Sequence, residues 1–364
     1  MNIGTIDKAE RPQRIGAVHK SHCTFIPPLV LENLARAGVE EARLTIQQSK
    51  LSRENRAKGP EDMEMFAGAT PAGRACRQIY DSKHKWLKQV ELVLDECDPK
   101  GAPPTGDEAA DKSYEYIGNV SEYLDKVLNR NSIDNNGMDL ICNVHYGTKY
   151  NNAFWDGDEV TLGDGDGKIF VNFAKSLDVI AHELGHAVVQ WTANFVYEKQ
   201  PGALHEHFAD VFGSVITQHA EGQTAEDADW LIGDEIMGPE LYGESLRSMC
   251  APGTAYDNDL LGKDSQPDHM KDIYVGSADL GGVHINSGIM NKAFCLAARE
   301  KGLGTDKAAL IWYTALQNLW STADFNDAVG QIVKAARIHV KNGNVEVGTP
   351  QKIRAAFKAV GLPA

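Results

Sequence analysis

Residues 202–213, Gly-Ala-Leu-His-Glu-His-Phe-Ala-Asp-Val-Phe-Gly, place His205, Glu206, His207 and Asp210 within six positions. Each of these side chains can ligate a metal. Apolar Leu204, Phe208, Val211, Phe212 and Val215 recur at helical spacing from Ala203 to Val215, which predicts a helix. A helix turns by about 100° per residue, so His205 and His207 diverge by roughly 200° and cannot close on one ion. Glu206 and Asp210, four apart, share a face. Glu206 or Asp210 is therefore the contact, and the remaining ligands come from elsewhere.

A second stretch supplies them. Residues 178–190, Asp-Val-Ile-Ala-His-Glu-Leu-Gly-His-Ala-Val-Val-Gln, hold His182, Glu183 and His186 in an apolar helical run. The H-E-x-x-H spacing brings both imidazoles to one face, about a turn apart, where both reach one zinc ion. Glu183 lies about 100° around from His182, so it overhangs an open coordination position without being a ligand, as a general base for water must. Glu206 follows His186 after 19 residues on the second helix. Two helices joined by a loop complete a His182–His186–Glu206 site with one position open. Asp210 and His205 flank Glu206 and are placed to bind the outer nitrogens of the histidine ligands. Residues 279–288, Asp-Leu-Gly-Gly-Val-His-Ile-Asn-Ser-Gly, add His284 in a polar, glycine-rich setting.

The elements that must position these groups sit in a chain of 364 residues, 42% hydrophobic and 24% charged, with net charge −15. That length holds two or more domains. The negative charge argues against nucleic-acid and anionic-membrane partners, and no apolar run approaches the roughly 18–20 residues of a membrane helix. The N-terminal stretch has no apolar h-region, so secretion by a route without a Sec signal peptide is expected, with a cytoplasmic location as the alternative. Cys23, Cys76, Cys97, Cys142, Cys250 and Cys295 are scattered without a C-x-x-C pair, and free thiols are expected.

Residues 1–60 read as a separate segment: an extended Pro27-Pro28 turn, one helix from Leu29 to about Ser49, then a polar linker over 52–73. Residues 75–175 are strand-rich apart from a helix over roughly 107–128. Residues 138–147 alternate as a strand, and 159–173 read as a hairpin around its glycines. The GDGDG run at 163–167 lacks the rest of a twelve-residue calcium loop and reads as a plain turn. After 205 the chain is mostly helical, with amphipathic helices near 285–301, 306–320, 322–341 and 350–360. His145 and His219 have no evident partners.

Six ordered motifs from about residue 140 onward carry a family resemblance: NNAFW at 151–155, GDGDG at 163–167, HELGH at 182–186, GAxxExxxD at 202–210, SLRSM at 245–249 and GGVHINSG at 281–288. The chain resembles the thermolysin family of zinc metalloendopeptidases, and FIPPLVLENLA at 25–35 resembles the short pro-segment of its protealysin-type members. The resemblance implies an α+β fold, a thermolysin-like two-domain zincin. The pro-segment would span 1–60, a β-rich catalytic domain 61–193 ending in the HExxH helix, and a helical domain 194–364, with the cleft between the two.

The activity implied is a neutral endopeptidase, Zn2+-dependent, made as a zymogen and cutting before bulky hydrophobic residues. His182, His186 and Glu206 would hold zinc and Glu183 would act as the base. His284 and Tyr197 would stabilise the oxyanion, with Asp279 orienting His284. Arg247 would bind the substrate carbonyl one residue further along, and Asn152 and Ala153 would pair with an extended peptide on the edge strand. Phe170, Phe173, Val179, Ile232 and Leu246 would line the pocket after the scissile bond. In the pro-segment, Pro27, Pro28 and Leu29 would occupy the cleft, with Cys23 close enough to touch zinc.

Two positions depart from the family pattern. His205 stands where Asn is usual, and a neutral imidazole there still accepts a hydrogen bond from His186. Asp178, Asp229 and Asp234 match calcium ligands, but Thr217 replaces a bridging Glu, so one Ca2+ or none is expected. Partners expected are polypeptide substrates and the chain's own pro-segment in cis, with the protein a monomer. Competing readings are a catalytically weak zinc scaffold acting as an interaction module, an aminopeptidase on the same ligands, and a di-iron site. The last needs a second E-x-x-H, and position 209 is Ala.

Overall fold

The computed structural model describes residues 23–57, 75–98, 101 and 103–363. Its architecture is α+β. A six-stranded sheet is built before residue 163, and helices dominate from 177 onward. The strands are β1 (Cys23–Thr24), β2 (Arg77–Asp81), β3 (Glu91–Asp95), β4 (Leu140–Val144), β5 (Ala153–Trp155) and β6 (Val160–Leu162), in spatial order β1-β5-β6-β4-β2-β3. β2, β4 and β6 run parallel to one another, while β3, β5 and β1 are antiparallel to their neighbours.

The first helices, α1 (Pro28–Arg36) and α2 (Glu40–Ala57), replace the single helix expected to Ser49. Gly38, at φ +96, breaks the run in the left-handed region that other residues resist. Helix α2 also covers residues 52–57, which read as linker. The rest of that linker, 58–73, lies outside the described residues. Pro28 opens α1, where its missing N–H costs nothing.

Helix α3 (Glu108–Lys126) is capped by Asp107, whose side chain accepts from the N–H groups of Ala109 and Ala110. The hairpin is made by β5 and β6, not by 159–173. Over 163–167 the chain turns, with Asp164 and Asp166 bonded to Asn172 and Asn151.

Helix α4 (Leu177–Gln190) is buried at every position, its polar residues Asp178, His182, Glu183, His186 and Gln190 included. It packs on α5 (Lys199–Glu221). Gly185 makes the approach possible, because a Cβ there would sit 3.1 Å from Ala209 Cα and from Phe212 Cβ. α5 packs in turn on α6 (Asp279–Ala298), and α7 (Thr305–Leu316), α8 (Phe325–Lys341) and α9 (Thr349–Ala359) complete the helical part. Two short strands, β7 (Leu231–Ile232) and β8 (Arg247–Ser248), pair beside α5.

The expectation of free thiols is corrected for four cysteines: Cys76 is bonded to Cys97 and Cys250 to Cys295. Neither pair has a local spacing signature. The bonds form because the Cys76 end of β2 lies beside the chain leaving β3, and because Cys295 of α6 meets the loop after β8.

Candidate metal centre and cleft

The crossing of α4 over α5 brings His182, His186 and Glu206 together, with one ligand atom from each within 4.8 Å of the others. Glu206 Oε2 lies 3.7 Å from His182 Nε2, and Oε1 lies 3.4 Å from His186 Nε2. All three side chains are buried. His182 Nε2, His186 Nε2 and Glu206 Oε2 have no hydrogen-bond partner. Three buried polar atoms converging without partners are costly unless something they bind lies between them. Two imidazoles and a carboxylate are a zinc donor set, so the residues fit the ion.

The outer nitrogens are held as well. His182 Nδ1 lies 2.9 Å from Asp210 Oδ1, and His186 Nδ1 lies 2.9 Å from His205 Nδ1. Burial drives His186 well below the ordinary histidine range and His205 down to about 3, so both rings are neutral, one donating to the other. Burial would push Asp210 up, but Arg247 and His182 hold it well below the usual carboxylate range. Asp210 also accepts from Asn291 Nδ2 at 2.9 Å and from Arg247 Nη2 at 2.8 Å. His207 points the other way, to Asn291 and Trp312.

Glu183 sits beside this cluster with Oε2 accepting the Trp155 N–H at 2.6 Å. Burial, reinforced by Glu206, raises its pKa well above the ordinary carboxylate value. Across the cleft, α6 begins irregularly: Asp279, Leu280, Gly281 and Gly282 all have positive φ. That turn lets Asp279 Oδ2 accept from the His284 and Ile285 N–H groups, while Oδ1 lies 2.6 Å from His284 Nδ1. Burial opposes a charged His284, yet Glu206 and Asp279 outweigh it and push the ring up to about 9. Tyr197 donates to Glu206 Oε1 and lies 3.4 Å from His284 Nε2.

The cleft is filled by the chain's own residues 23–29. Strand β1 adds to β5 in antiparallel register, Cys23 opposite Trp155 and Thr24 opposite Phe154. The Phe25 N–H donates to Ala153 O at 3.0 Å and the Ile26 N–H to Asn152 Oδ1 at 2.9 Å. Phe25 O accepts from Arg247 Nη1 at 3.3 Å, and Thr24 O lies 3.1 Å from His284 Nε2. The Phe25 ring is fully buried, edge-on to His182 with centroids 5.1 Å apart and with the Arg247 guanidinium 5.1 Å from its centroid.

Leu246 and Phe25 converge on Gly233, where a Cβ would come within 2.9 Å and 3.0 Å of them. Ile232 precedes that glycine. Phe170 and Phe173 pack on each other, centroids 5.9 Å apart, and with Val179 are buried in the core.

Pro27 and Leu29 line the cleft with Arg247 and His284, but they do not cross the catalytic groups. Pro27 caps α1, Pro28 and Leu29 lie in its first turn, and Thr24-Phe25-Ile26 crosses them instead. Pro27 cannot donate to the edge strand, whereas Phe25 and Ile26 can and do. Phe25 opens the FIPPLVLENLA motif but was given no role of its own; its aromatic side chain just before Ile-Pro-Pro was the available signal. Cys23 is buried, and its sulfur groups with a ring nitrogen from each of His186 and His205 within 4.8 Å.

Asp178, Asp229 and Asp234 line a small cavity of about 70 Å³ with Thr217, Glu221 and Glu235. Burial raises Asp178 to about 7 and also raises Asp234 and Glu235, the last two helped by neighbouring carboxylates.

The thermolysin metallopeptidase catalytic-domain model matches residues 63–190, and the thermolysin metallopeptidase α-helical-domain model matches 193–362. An extracellular metalloprotease of Pectobacterium carotovorum subsp. carotovorum is 44% identical over 310 residues, 83% of this chain and 87% of that protein. Protease PrtS of Photorhabdus sp. (strain Az29) is 42% identical over 300 residues, 80% of each chain. Thermolysin of Alicyclobacillus acidocaldarius subsp. acidocaldarius is 38% identical over 265 residues, 70% of this chain but 46% of that longer one. Among solved structures, the precursor of protealysin from Serratia proteamaculans superposes with a TM-score of 0.81 at 38% identity, covering 93% of this chain and 99% of that one.

Proposed function

The chain belongs to the thermolysin family of zinc-dependent metallopeptidases, and we propose that it cuts polypeptides before bulky apolar residues and is held latent by its own segment 1–60. The observation that carries this is the path of residues 23–26. An extended peptide lies antiparallel on the edge strand with a phenylalanine buried behind the metal-binding cluster. Its register makes Thr24 the residue before, and Phe25 the residue after, the position of a scissile bond.

When bound to His182, His186 and Glu206, zinc supplies Lewis-acid activation of water and carbonyl. Glu183, released from the Trp155 amide, takes the proton of the attacking water and hands it to the leaving nitrogen. His284, in the place where it now meets the Thr24 carbonyl, donates to the oxygen that gains charge, and Tyr197 stands beside it. Asp279 fixes the His284 ring and favours its charged form. Arg247, anchored by Asp210, holds the carbonyl of the residue after the cut, while Asn152 and Ala153 hold the flanking amides. Leu246, Ile232, Phe170, Phe173 and Val179 supply the apolar wall behind that residue.

Domains over 61–193 and 194–364 flank this cleft. Asp178, Asp229 and Asp234 offer a place for one calcium ion. Two disulfides suit an oxidising compartment, which supports action outside the cell, by a monomeric enzyme. The test is Glu183→Gln, which retains zinc and loses turnover on a blocked peptide with Phe or Leu after the cut. Full activity in that variant would refute the mechanism.

A further inference from the structure

The parallel strands β2, β4 and β6 are neighbours, so the chain leaves all three at the same edge of the sheet. His84, His145 and Asp164 each follow one of these ends by one to three residues. We propose that they form a second metal site, away from the cleft, for a divalent transition-metal ion of the zinc class.

The donor atoms already lie at ligand spacing. His145 Nδ1 is 2.8 Å from Asp164 Oδ1, and His84 Nδ1 is 3.1 Å from Asp164 Oδ2. The three groups form a cluster with donors within 4.8 Å of one another. Around a tetrahedral zinc ion with bonds of about 2.0–2.1 Å, neighbouring donors stand roughly 3.3 Å apart. Small side-chain adjustments therefore suffice. Two imidazoles and one carboxylate select zinc-class ions over calcium or magnesium, which take oxygen donors.

The surroundings are those of a ligand histidine. His145 uses its other nitrogen, Nε2, against Asp107 Oδ2 at 2.9 Å, and a carboxylate on the far nitrogen orients a metal-bound imidazole and raises its basicity. Asp107 is itself held by capping α3, and Asn172 Nδ2 holds Asp164 Oδ1 at 2.8 Å. Both histidines have left-handed backbone, φ 57 and 54, and the His84 N–H donates to His145 O at 2.9 Å. Left-handed backbone at both histidines is sparsely populated, and this backbone contact holds the two turns together. The metal displaces the Nδ1 proton of His145, and the exposed side of His84 leaves the fourth position to water. Bound there, the ion ties together the loops that follow three strands.

The experiment uses the full chain carrying Glu183→Gln, so that it cannot cut itself. Zinc per chain is measured by elemental analysis after desalting, with cobalt(II) absorbance as a second readout. Two ions per chain are expected, falling to one with His84→Ala added, one with Glu206→Ala added, and none with both. His84→Ala should also abolish part of the zinc-dependent rise in Tm, while leaving peptidase activity unchanged in the wild-type background. One ion per chain, or two that His84→Ala leaves in place, would overturn the proposal. If Glu206→Ala kept both ions while His84→Ala lost one, the second site would stand and the reading of Glu206 would fall.

Discussion

Replacing Phe25 by alanine tests the latency of the intact chain at its most buried contact. The ring is fully excluded from solvent, packed edge-on to His182, under Arg247 and against Leu246. Burying a phenylalanine side chain stabilises by about 1.5–3 kcal/mol. An aromatic contact adds about 0.5–1.5 kcal/mol. The backbone bonds to Ala153 and Asn152 survive the change, so the loss on docking is about 3 kcal/mol. At about 1.4 kcal/mol per decade, that shifts the balance between docked and undocked segment by roughly 10²-fold.

The initial rate of the intact Phe25→Ala chain on a blocked small peptide should therefore rise, by up to about 10²-fold over the intact wild type. A chain beginning near residue 60 sets the ceiling. Mass spectrometry must show both intact chains uncut over the assay, at equal zinc content. Equal rates for intact wild type and Phe25→Ala, both well below the truncated chain, would refute the argument that Phe25 holds the segment in the cleft.

His284→Ala should lower kcat by about 10²–10³, the usual worth of one oxyanion donor, with little change in KM, and Asp279→Asn should give a milder form of the same defect; a rise in KM alone would make His284 a substrate-binding residue. Glu206→Ala should lose the cleft zinc, measured by elemental analysis, whereas zinc retained with wild-type affinity there would move the third ligand elsewhere. Asp178 yields a pH dependence: burial raises it to about 7 against the pull of Ser176 and Gly233, so the folded chain binds its proton more tightly than the unfolded one. The stability this confers is complete below about pH 4 and is lost as pH rises through about 7. Without calcium, Asp178→Asn should remove that fall and raise stability at pH 8 by up to about 4 kcal/mol in urea unfolding; an unchanged pH slope would count against it.

Much of the chemistry was legible before any tertiary structure, because it depends on local geometry. The i, i+4 spacing of His182 and His186, and the separation of His205 from His207, follow from the helical repeat alone. The helix break at Gly38 was missed because a glycine within an otherwise helical pattern is compatible with either outcome. By helical spacing alone Glu206 and Asp210 were equivalent candidates on one face, and the motif resemblance singled out Glu206. Only the α4–α5 crossing, close because Gly185 has no side chain, sends Glu206 between the two histidines and Asp210 to the outer nitrogen of His182 and to Arg247.

The same holds for everything that joins distant parts of the chain. The sequence contained Ile-Pro-Pro, but which residues of the segment meet His284 was decided by the β1–β5 register, set by donors that Pro27 lacks and Phe25 has. Cysteine partners 21 and 45 residues apart, and the meeting of His84, His145 and Asp164, had no periodic signal. Periodicity records which way neighbours on one element point; contacts between elements depend on how the elements pack, and packing is a property of the whole folded chain.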